Sequence, residues 1–337
     1  MLREVRSHSD IGKMREENQD SLAWSSLDEN LQVLIVADGM GGYAGGSLAS
    51  KTITETMIKE FSMTPVESIK EKPSLYIRKA ITAGNAAVNS KAEKNREFKD
   101  MGSTVVCALA VDSTLHVAYV GDSRAYILRR GQIRQITEDH TVVQDLVKNG
   151  YVSPEDAPYH PSSGILTKCL GQMEIADPEF SKTIELKEGD AVILCSDGLS
   201  GMLEDDEIGE IVLHEPREKA VDELIDLAND AGGFDNITVI VFYFGEMPPE
   251  ASSWPVTVGI PLYEENKFHG ADEPTVPFAI AQKGREKLKD TMYITTQNSP
   301  DTGVRKSLLG NSLLPLLISV IILLMGFLIW LAGGISF

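Results

Sequence analysis

The sequence predicts an α+β domain with a mainly antiparallel β-sheet over residues 3–244. Short runs of β-branched and other apolar residues, which favour strands, alternate with longer stretches whose apolar residues recur at helical spacing. Several strand candidates are joined by short turns, such as 111–114 and 129–132, which leave no room for a crossover between parallel strands. No motif recurs at the period of a solenoid. Repeat architectures and doubly wound folds are therefore disfavoured.

The individual elements follow from the same patterns. We predict strands at 31–37, 104–110, 115–120, 124–128, 191–196 and 237–243, and helices at 47–61, 74–94 and 217–231. In the last helix Ala220, Val221, Leu224 and Ala228 share one face, which indicates packing and not a site. Residues 139–167 are rich in Pro, Ser, His and Gly around one short helical stretch near 142–148, which is typical of a surface excursion beside a site.

The charge balance disfavours one large class of function. With 31 basic and 50 acidic residues the formal net charge is -19, so we expect no nucleic-acid partner. The surplus carboxylates either only solvate the surface or build a site for hard divalent cations, and composition does not choose between the two. Cys107, Cys169 and Cys195 lie far apart with no CxxC pair, as in a reducing compartment. Residues 1–10 lack the apolar stretch of a secretory signal.

The C-terminal tail has a different composition. Residues 307–337 contain no charge, and 313–332 are almost continuously apolar, about the length that crosses a bilayer. We predict a transmembrane helix at 311–333; a buried core helix is the alternative, although core helices seldom stay apolar on every face. Positive residues such as Arg305 and Lys306 precede the span and none follow, which predicts a single-pass protein of the cell membrane with its main domain in the cytoplasm.

The composition of residues 245–310 predicts a flexible cytoplasmic linker between the domain and the membrane. They are rich in Pro, Thr, Ser, Asn and Gln and show little apolar periodicity. The threonines of this segment are either phosphorylation sites or part of a plain spacer.

Four acidic motifs lie at the ends of predicted strands or in the loops beside them. They contain Asp20, Asp38, Asp197 and Asp235. A single Asp-Gly after a strand is usually an ordinary turn. Several such motifs in one acidic domain instead indicate a site for paired Mg²⁺ or Mn²⁺ ions, which take oxygen ligands and can share a bridging carboxylate.

The same motifs suit phosphate chemistry. Gly39, directly after Asp38, lets a backbone carbonyl approach a cation without a side chain in the way. Bound ions turn water into a nucleophile near neutral pH, and phosphoryl transfer mainly needs positioning and neutralised charge. Arg15 precedes Asp20 in the same motif, and a guanidinium fits a tetrahedral phosphate. These residues predict a metal-dependent hydrolase of phosphate esters.

An ordered set of short motifs adds a family resemblance. The motifs are RxxNQD at 15–20, DGMGG at 38–42, GST at 102–104, YVGDSRAY at 119–126, ITEDHT at 136–141, LTKCLG at 166–171, SDGL at 196–199 and GGFDN at 232–236. Over residues 3–244 the chain resembles the metal-dependent type 2C protein phosphatases, most closely their bacterial branch. The resemblance implies an α-β-β-α sandwich, with two antiparallel sheets between helical layers. It also implies phosphoserine and phosphothreonine proteins as substrates.

The resemblance implies a role for each matching residue. The metal ligands would be Asp38 as the bridge, the Gly39 carbonyl for the second ion, and Asp197 and Asp235 for the first ion. Asp122 resembles a ligand of a third, weaker ion, with Asp197 shared; a salt bridge from Asp122 to Arg124 is the alternative. Asp20 resembles the carboxylate that orients metal-bound water, and Arg15 resembles the phosphate-binding arginine.

Two departures from the family pattern concern the chemistry. Gln19 stands where many animal and plant relatives have an ion-binding Glu, and Met40 stands where they have a His that protonates the leaving alkoxide. His140 is one substitute acid, although a structural histidine is the better interpretation, and solvent on a metal is another.

Two questions about function stay open at this point. A membrane-tethered adaptor that binds phosphoproteins without turnover is an alternative to an enzyme, but the complete set of acidic residues favours the enzyme. The single span suggests that the enzyme opposes a membrane serine/threonine kinase and acts on that kinase and its substrates. A phosphatase dedicated to one small regulatory phosphoprotein is the alternative.

Overall fold

Two β-sheets face each other at the centre of the molecule, and helices cover both outer faces. The computed structural model describes residues 3–171 and 177–264, which belong to one unit spanning residues 1–271. The strands are β1 Arg3–Asp10, β2 Asp20–Asp28, β3 Leu31–Met40, β4 Gly102–Ser103, β5 Val105–Val111, β6 Thr114–Val120, β7 Arg124–Arg129, β8 Gln132–Gln135, β9 Glu179–Phe180, β10 Ile184–Glu185, β11 Asp190–Cys195, β12 Ile237–Phe244 and β13 Thr257–Val258. The helices are α1 Gly42–Met63, α2 Val66–Glu71, α3 Pro73–Lys94, α4 Val142–Lys148, α5 Asp197–Ser200, α6 Asp205–His214 and α7 Arg217–Asp230. Short 3₁₀ helices lie at Arg96–Phe98, Ala157–Tyr159 and Pro249–Ser253.

The sheet topology confirms the prediction of antiparallel pairing. One sheet has the order β1-β12-β11-β7-β8-β13, and the other has the order β10-β6-β5-β3-β2 with β4 beside β3 and β9 beside β6. Among the described strands only the short pair of β13 with β8 is parallel.

Alternate residues of the central strands face different layers. In β3, Val33 and Ile35 pack with the helical layer of α1 and α3, whereas Leu34 and Val36 pack between the two sheets. All four side chains are fully buried. Because both faces of these strands are covered, their sequences are continuously apolar and do not alternate with polar residues.

Several boundaries differ from the predictions. Strand β3 continues beyond the predicted end at residue 37 to Met40, and α1 begins at Gly42, before the predicted start at 47. Gly41 makes the sharp turn between them with a φ of 119°. Asp38 therefore lies inside a strand and not in a loop. The short helix predicted near 142–148 is confirmed as α4.

The first part of the predicted linker is ordered, which corrects the expectation of flexibility from residue 245. Residues 249–264, which we call the strap, lie along β8: the N–H groups of Gly259 and Leu262 donate to the carbonyls of Ile133 and Gln135, both at 2.8 Å. Trp254 packs against the core beneath α6 and α7, and Leu262 packs against the core between the sheets. The strap was missed because its few apolar residues follow no helical or strand period.

The predicted membrane anchor lies outside the described residues. Within residues 3–171 and 177–264, no helix has the length and apolar character needed to cross a bilayer. The span predicted at 311–333 and residues 265–310 of the predicted linker remain predictions.

Candidate metal and phosphate site

One cavity at an edge of the sandwich brings the predicted site residues together. Its volume is about 840 Å³, and its lining includes Arg15, Asp38, Gly39, Asp122, Asp197 and Asp235. These residues come from the loop before β2, from β3, from the turn after β6, from the start of α5 and from the turn before β12. Ends of strands from both sheets meet at this edge. Of the predicted site residues only Asp20 lies outside the cavity lining, directly behind it.

Backbone hydrogen bonds hold Asp38 in place. Its N–H donates to Thr104 Oγ1 at 2.9 Å, and the Thr104 N–H donates to the Asp38 carbonyl at 2.8 Å. A Cβ on Gly39 would lie only 2.0 Å from the carbonyl oxygen of Gly46 and 2.6 Å from that of Gln19. Only glycine fits at this position, as expected from the Asp-Gly motif.

Asp20 lies opposite Asp38 in the pairing of β2 with β3. Ser196 Oγ donates to Asp20 Oδ2 at 2.6 Å and in turn accepts from the N–H of Thr238 at 3.0 Å. Burial raises the pKa of Asp20 to about 7. Its other oxygen, Oδ1, is shielded from solvent and has no hydrogen-bond partner among the described residues. Asp20 Oδ1 is thus available to accept a hydrogen bond, whereas Oδ2 is occupied by Ser196.

The carboxyl groups of Asp38 and Asp197 lie next to each other in the cavity, and each shifts the pKa of the other. Burial, with the neighbouring charges of Asp20 and Asp197, raises the pKa of Asp38 well above its ordinary value. Burial and then the charge of Asp235 raise the pKa of Asp197. Burial, followed by the charge of Asp197, raises the pKa of Asp122 to about 8. The site therefore holds more negative charge than it can neutralise by itself.

The guanidinium of Arg15 lies at the rim of this acidic cluster. Its NH2 atom donates to Asp235 Oδ2 at 2.6 Å, and the Arg15 side chain is half exposed. In residues 3–171 and 177–264, no three acidic, His or Cys side chains form a ready ligand set.

Asn236 has a role that the sequence analysis missed. Its Nδ2 donates to the carbonyls of Ile11 and Glu17 at 2.9 and 3.0 Å, and its Oδ1 accepts from the N–H of Gln19 at 2.8 Å. The side chain is nearly fully buried. Asn236 therefore fastens the loop that carries Arg15 to the start of β12. A polar amide directly before a fully apolar strand was the available signal.

The two open alternatives at Asp122 and His140 now have answers. Arg124 does not pair with Asp122; its Nε and NH2 atoms donate to Asp139 at 3.0 and 2.7 Å. The salt-bridge alternative for Asp122 is therefore wrong. His140 is buried, its Nδ1 accepts from the N–H of Gly121 at 3.0 Å, and its ring stacks on Tyr119. It is a structural histidine and does not line the cavity.

The part of the chain that contains these residues is similar to known proteins. A family model described as Protein phosphatase 2C matches residues 7–233. The serine/threonine phosphatase stp of Listeria monocytogenes is 36% identical over 236 residues, which cover 69% of this chain and 92% of that protein. The crystal structure of Stp1 from Staphylococcus aureus is 34% identical, with a TM-score of 0.68, and covers 73% of this chain and 96% of that one.

A further solved structure contains metal ions. The catalytic domain of the phosphatase PstP, described as a complex with 2 manganese ions, is 32% identical and has a TM-score of 0.64 over 72% of this chain and 99% of that one. The family model matches more than half of the chain, and the Listeria relative is 36% identical over most of its own length. The chain therefore belongs to the protein phosphatase 2C family.

Proposed function

We propose that this enzyme hydrolyses phosphoserine and phosphothreonine esters on proteins with the help of divalent cations. One observation carries the proposal: Asp38, Asp122, Asp197 and Asp235 line one cavity with Arg15 at its rim. Membership of the family makes the chain a serine/threonine phosphatase, in agreement with the names of its relatives. The substrates proposed are phosphorylated proteins in general.

The residues present fit a pair of hard cations. Oδ1 of Asp20 and Oδ1 of Asp197 are buried and have no hydrogen-bond partner among the described residues, and the pKa values of Asp38 and Asp122 are raised by burial and then by the charges of neighbouring carboxylates. Carboxylate and carbonyl oxygens are the ligands of Mn²⁺ and Mg²⁺. Asp38, the Gly39 carbonyl, Asp197 and Asp235 would hold two core ions, and Asp122 with Asp197 would hold a third. The manganese in the PstP structure supports this choice of ion.

Bound cations would lower the pKa of water and neutralise the charge of the phosphate. The protein would contribute two further functions. Arg15 would bind and orient the phosphate oxygens through its exposed guanidinium. Asp20, held by Ser196, would accept a hydrogen bond from water through its free Oδ1. Met40 lines the cavity and cannot protonate the leaving alkoxide, so solvent would provide that proton.

A direct test separates this enzyme from the adaptor alternative. Hydrolysis of p-nitrophenyl phosphate and of a phosphothreonine peptide should require Mn²⁺ or Mg²⁺ and should stop when a chelator is added. Absence of chelator-sensitive phosphate release from the full chain would contradict the proposal.

We further propose that the enzyme acts at the cell membrane and opposes a membrane serine/threonine kinase. The sequence prediction of a span at 311–333 supports this, because a shared membrane raises the effective concentration of kinase and phosphatase. Membrane fractionation of the full chain tests the location. Phosphoproteomics of a deletion strain tests the partner, and unchanged phosphorylation of membrane kinases would count against it.

A further inference from the structure

A groove at the other end of the sandwich has a charge opposite to that of the chain as a whole. Its volume is about 540 Å³, and we call it the distal groove. Strand β7 begins at Arg124, beside Asp122 of the catalytic cavity, and ends at Arg129, which lines the groove. At about 3.3 Å per residue, this strand separates the two sites by roughly 17 Å.

The lining of the distal groove is cationic. It includes Arg129, Arg130, Arg134 and Lys182, and no carboxylate lines it in the described part of the chain. Asp190 pairs with Arg129 at 2.6 Å, so this charge is neutralised. Arg130 and Lys182 are exposed and have no ion pair with any residue of 3–171 or 177–264. Positive charge is thus concentrated here, in a chain whose net charge is -19.

The floor of the groove is apolar and is formed by Ile127, Ile184 and Leu262. An apolar floor with a cationic rim suits an extended peptide that carries both anionic and apolar side chains. A flat bilayer would mainly contact protruding side chains and would not enter the concave floor.

The strap connects this groove to the catalytic edge. Thr257 and Leu262 line the groove, and the following residues Tyr263 and Glu264 line a third cavity of about 550 Å³. That third cavity shares Asp122 and Asp197 with the catalytic cavity. One side of the molecule therefore offers a continuous path from the metal-ligand candidates along the strap to the distal groove.

We propose that the distal groove binds an anionic segment of the phosphoprotein substrate, either a run of carboxylates or a second phosphorylated residue, while the reacting phosphate occupies the catalytic cavity. The inference rests on the proposed function and adds a substrate preference to it. An extended chain spans roughly 17 Å with about five residues. Since the path curves around the surface, the anionic segment should lie about six to ten residues from the reacting residue.

The experiment compares two phosphothreonine peptides that differ only in this segment. One carries four Glu residues about eight residues from the phosphothreonine, the other carries four Gln residues, and each is made with the segment on either side. For the full chain, kcat/KM should be about five- to tenfold higher for one Glu peptide than for its Gln partner, and the ratio should fall with added salt. Arg130→Glu combined with Lys182→Glu should bring the ratio to about one. Lys59→Glu combined with Lys219→Glu makes the same charge change on the outer helices and should leave the ratio unchanged.

Two outcomes would overturn the inference. The first is equal kcat/KM for the Glu and Gln peptides with the unaltered chain. The second is a peptide ratio that survives the Arg130 and Lys182 reversal; if that reversal also abolishes sedimentation with phosphatidylglycerol vesicles, the groove is a membrane contact. The Gln peptide also distinguishes failure of the proposed phosphatase activity from failure of the proposed groove binding. If the chain releases no phosphate from the Gln peptide, the proposed activity is wrong, independently of any binding in the distal groove.

Discussion

Removal of the Asn236 side chain should loosen the loop that carries Arg15. The amide makes three buried hydrogen bonds, of 2.8, 2.9 and 3.0 Å, to backbone groups of that loop. A buried hydrogen bond contributes about 0.5–1.5 kcal/mol net, so Asn236→Ala should lower the free energy of unfolding by about 2–4 kcal/mol. For a domain of this size the melting temperature should fall by roughly 4–16 °C.

Urea unfolding and phosphopeptide kinetics together check this prediction. KM should rise more than kcat falls, because the loop positions Arg15, the proposed phosphate-binding residue, whereas Asp38 is held by its own hydrogen bonds to Thr104. Asn229→Ala is a matched control: it removes a single hydrogen bond to Asp10, of 3.0 Å, at the same edge. The reasoning is refuted if Asn236→Ala unfolds within about 0.5 kcal/mol of the unaltered chain with the same KM, or if the control raises KM equally.

Four further predictions concern the charge and the packing of the domain. Asp38→Asn should reduce phosphate release at least about 100-fold and weaken Mn²⁺ uptake in calorimetry, and release at the unaltered rate would contradict the metal assignment. Arg15→Ala should raise KM for a phosphothreonine peptide about tenfold, with partial recovery in Arg15→Lys; an unchanged KM would exclude phosphate binding by Arg15. With chelator present, the melting temperature should fall as pH rises from about 5 to 8. The pKa values of Asp20, about 7, and Asp122, about 8, are raised in the folded protein, so over this range both carboxyl groups lose their protons more readily in the unfolded chain, which is thereby favoured. A melting temperature that rises over this range would contradict those assignments. Trp254→Ala should lower the free energy of unfolding by about 1.5–3 kcal/mol if the strap is an integral part of the domain, whereas Ser253→Ala should change it little.

The sequence identified the strands and helices whose apolar pattern is strong. β5, β6, β11 and β12 lie close to the predicted positions because they are buried on both faces and therefore read as continuous apolar runs. The helices α3 and α7 also match the predictions closely, since each buries one stripe of apolar side chains. Asp38, Asp197 and Asp235 were found because each borders such a strand, whereas the roles of Asp20 and Asp122 came from the family resemblance.

Other elements depend on tertiary contacts that no local pattern shows. Strand β1 contains Val5 as its only large apolar residue, yet it pairs with β12 from Arg3 to Asp10. The available signal at α6 was overlooked: the side chains of Glu204 and Glu207 form a capping box at its start. Within the site, the pairing of Arg15 with Asp235 could not be predicted, because it joins segments that are distant in the chain.

The two-sheet sandwich provides a rigid support for the carboxylates that line the catalytic cavity. Carboxylates that raise one another's pKa repel, so their mutual contacts cannot bring them together. Uncharged polar groups position them instead: Thr104 holds Asp38, and Ser196 holds Asp20, through hydrogen bonds within 3.0 Å. These polar groups lie in or beside buried strands whose apolar faces fill the core between the sheets and the cores under the helices. The hydrophobic packing of the sandwich therefore supplies the free energy that keeps these mutually repelling carboxylates together at one edge.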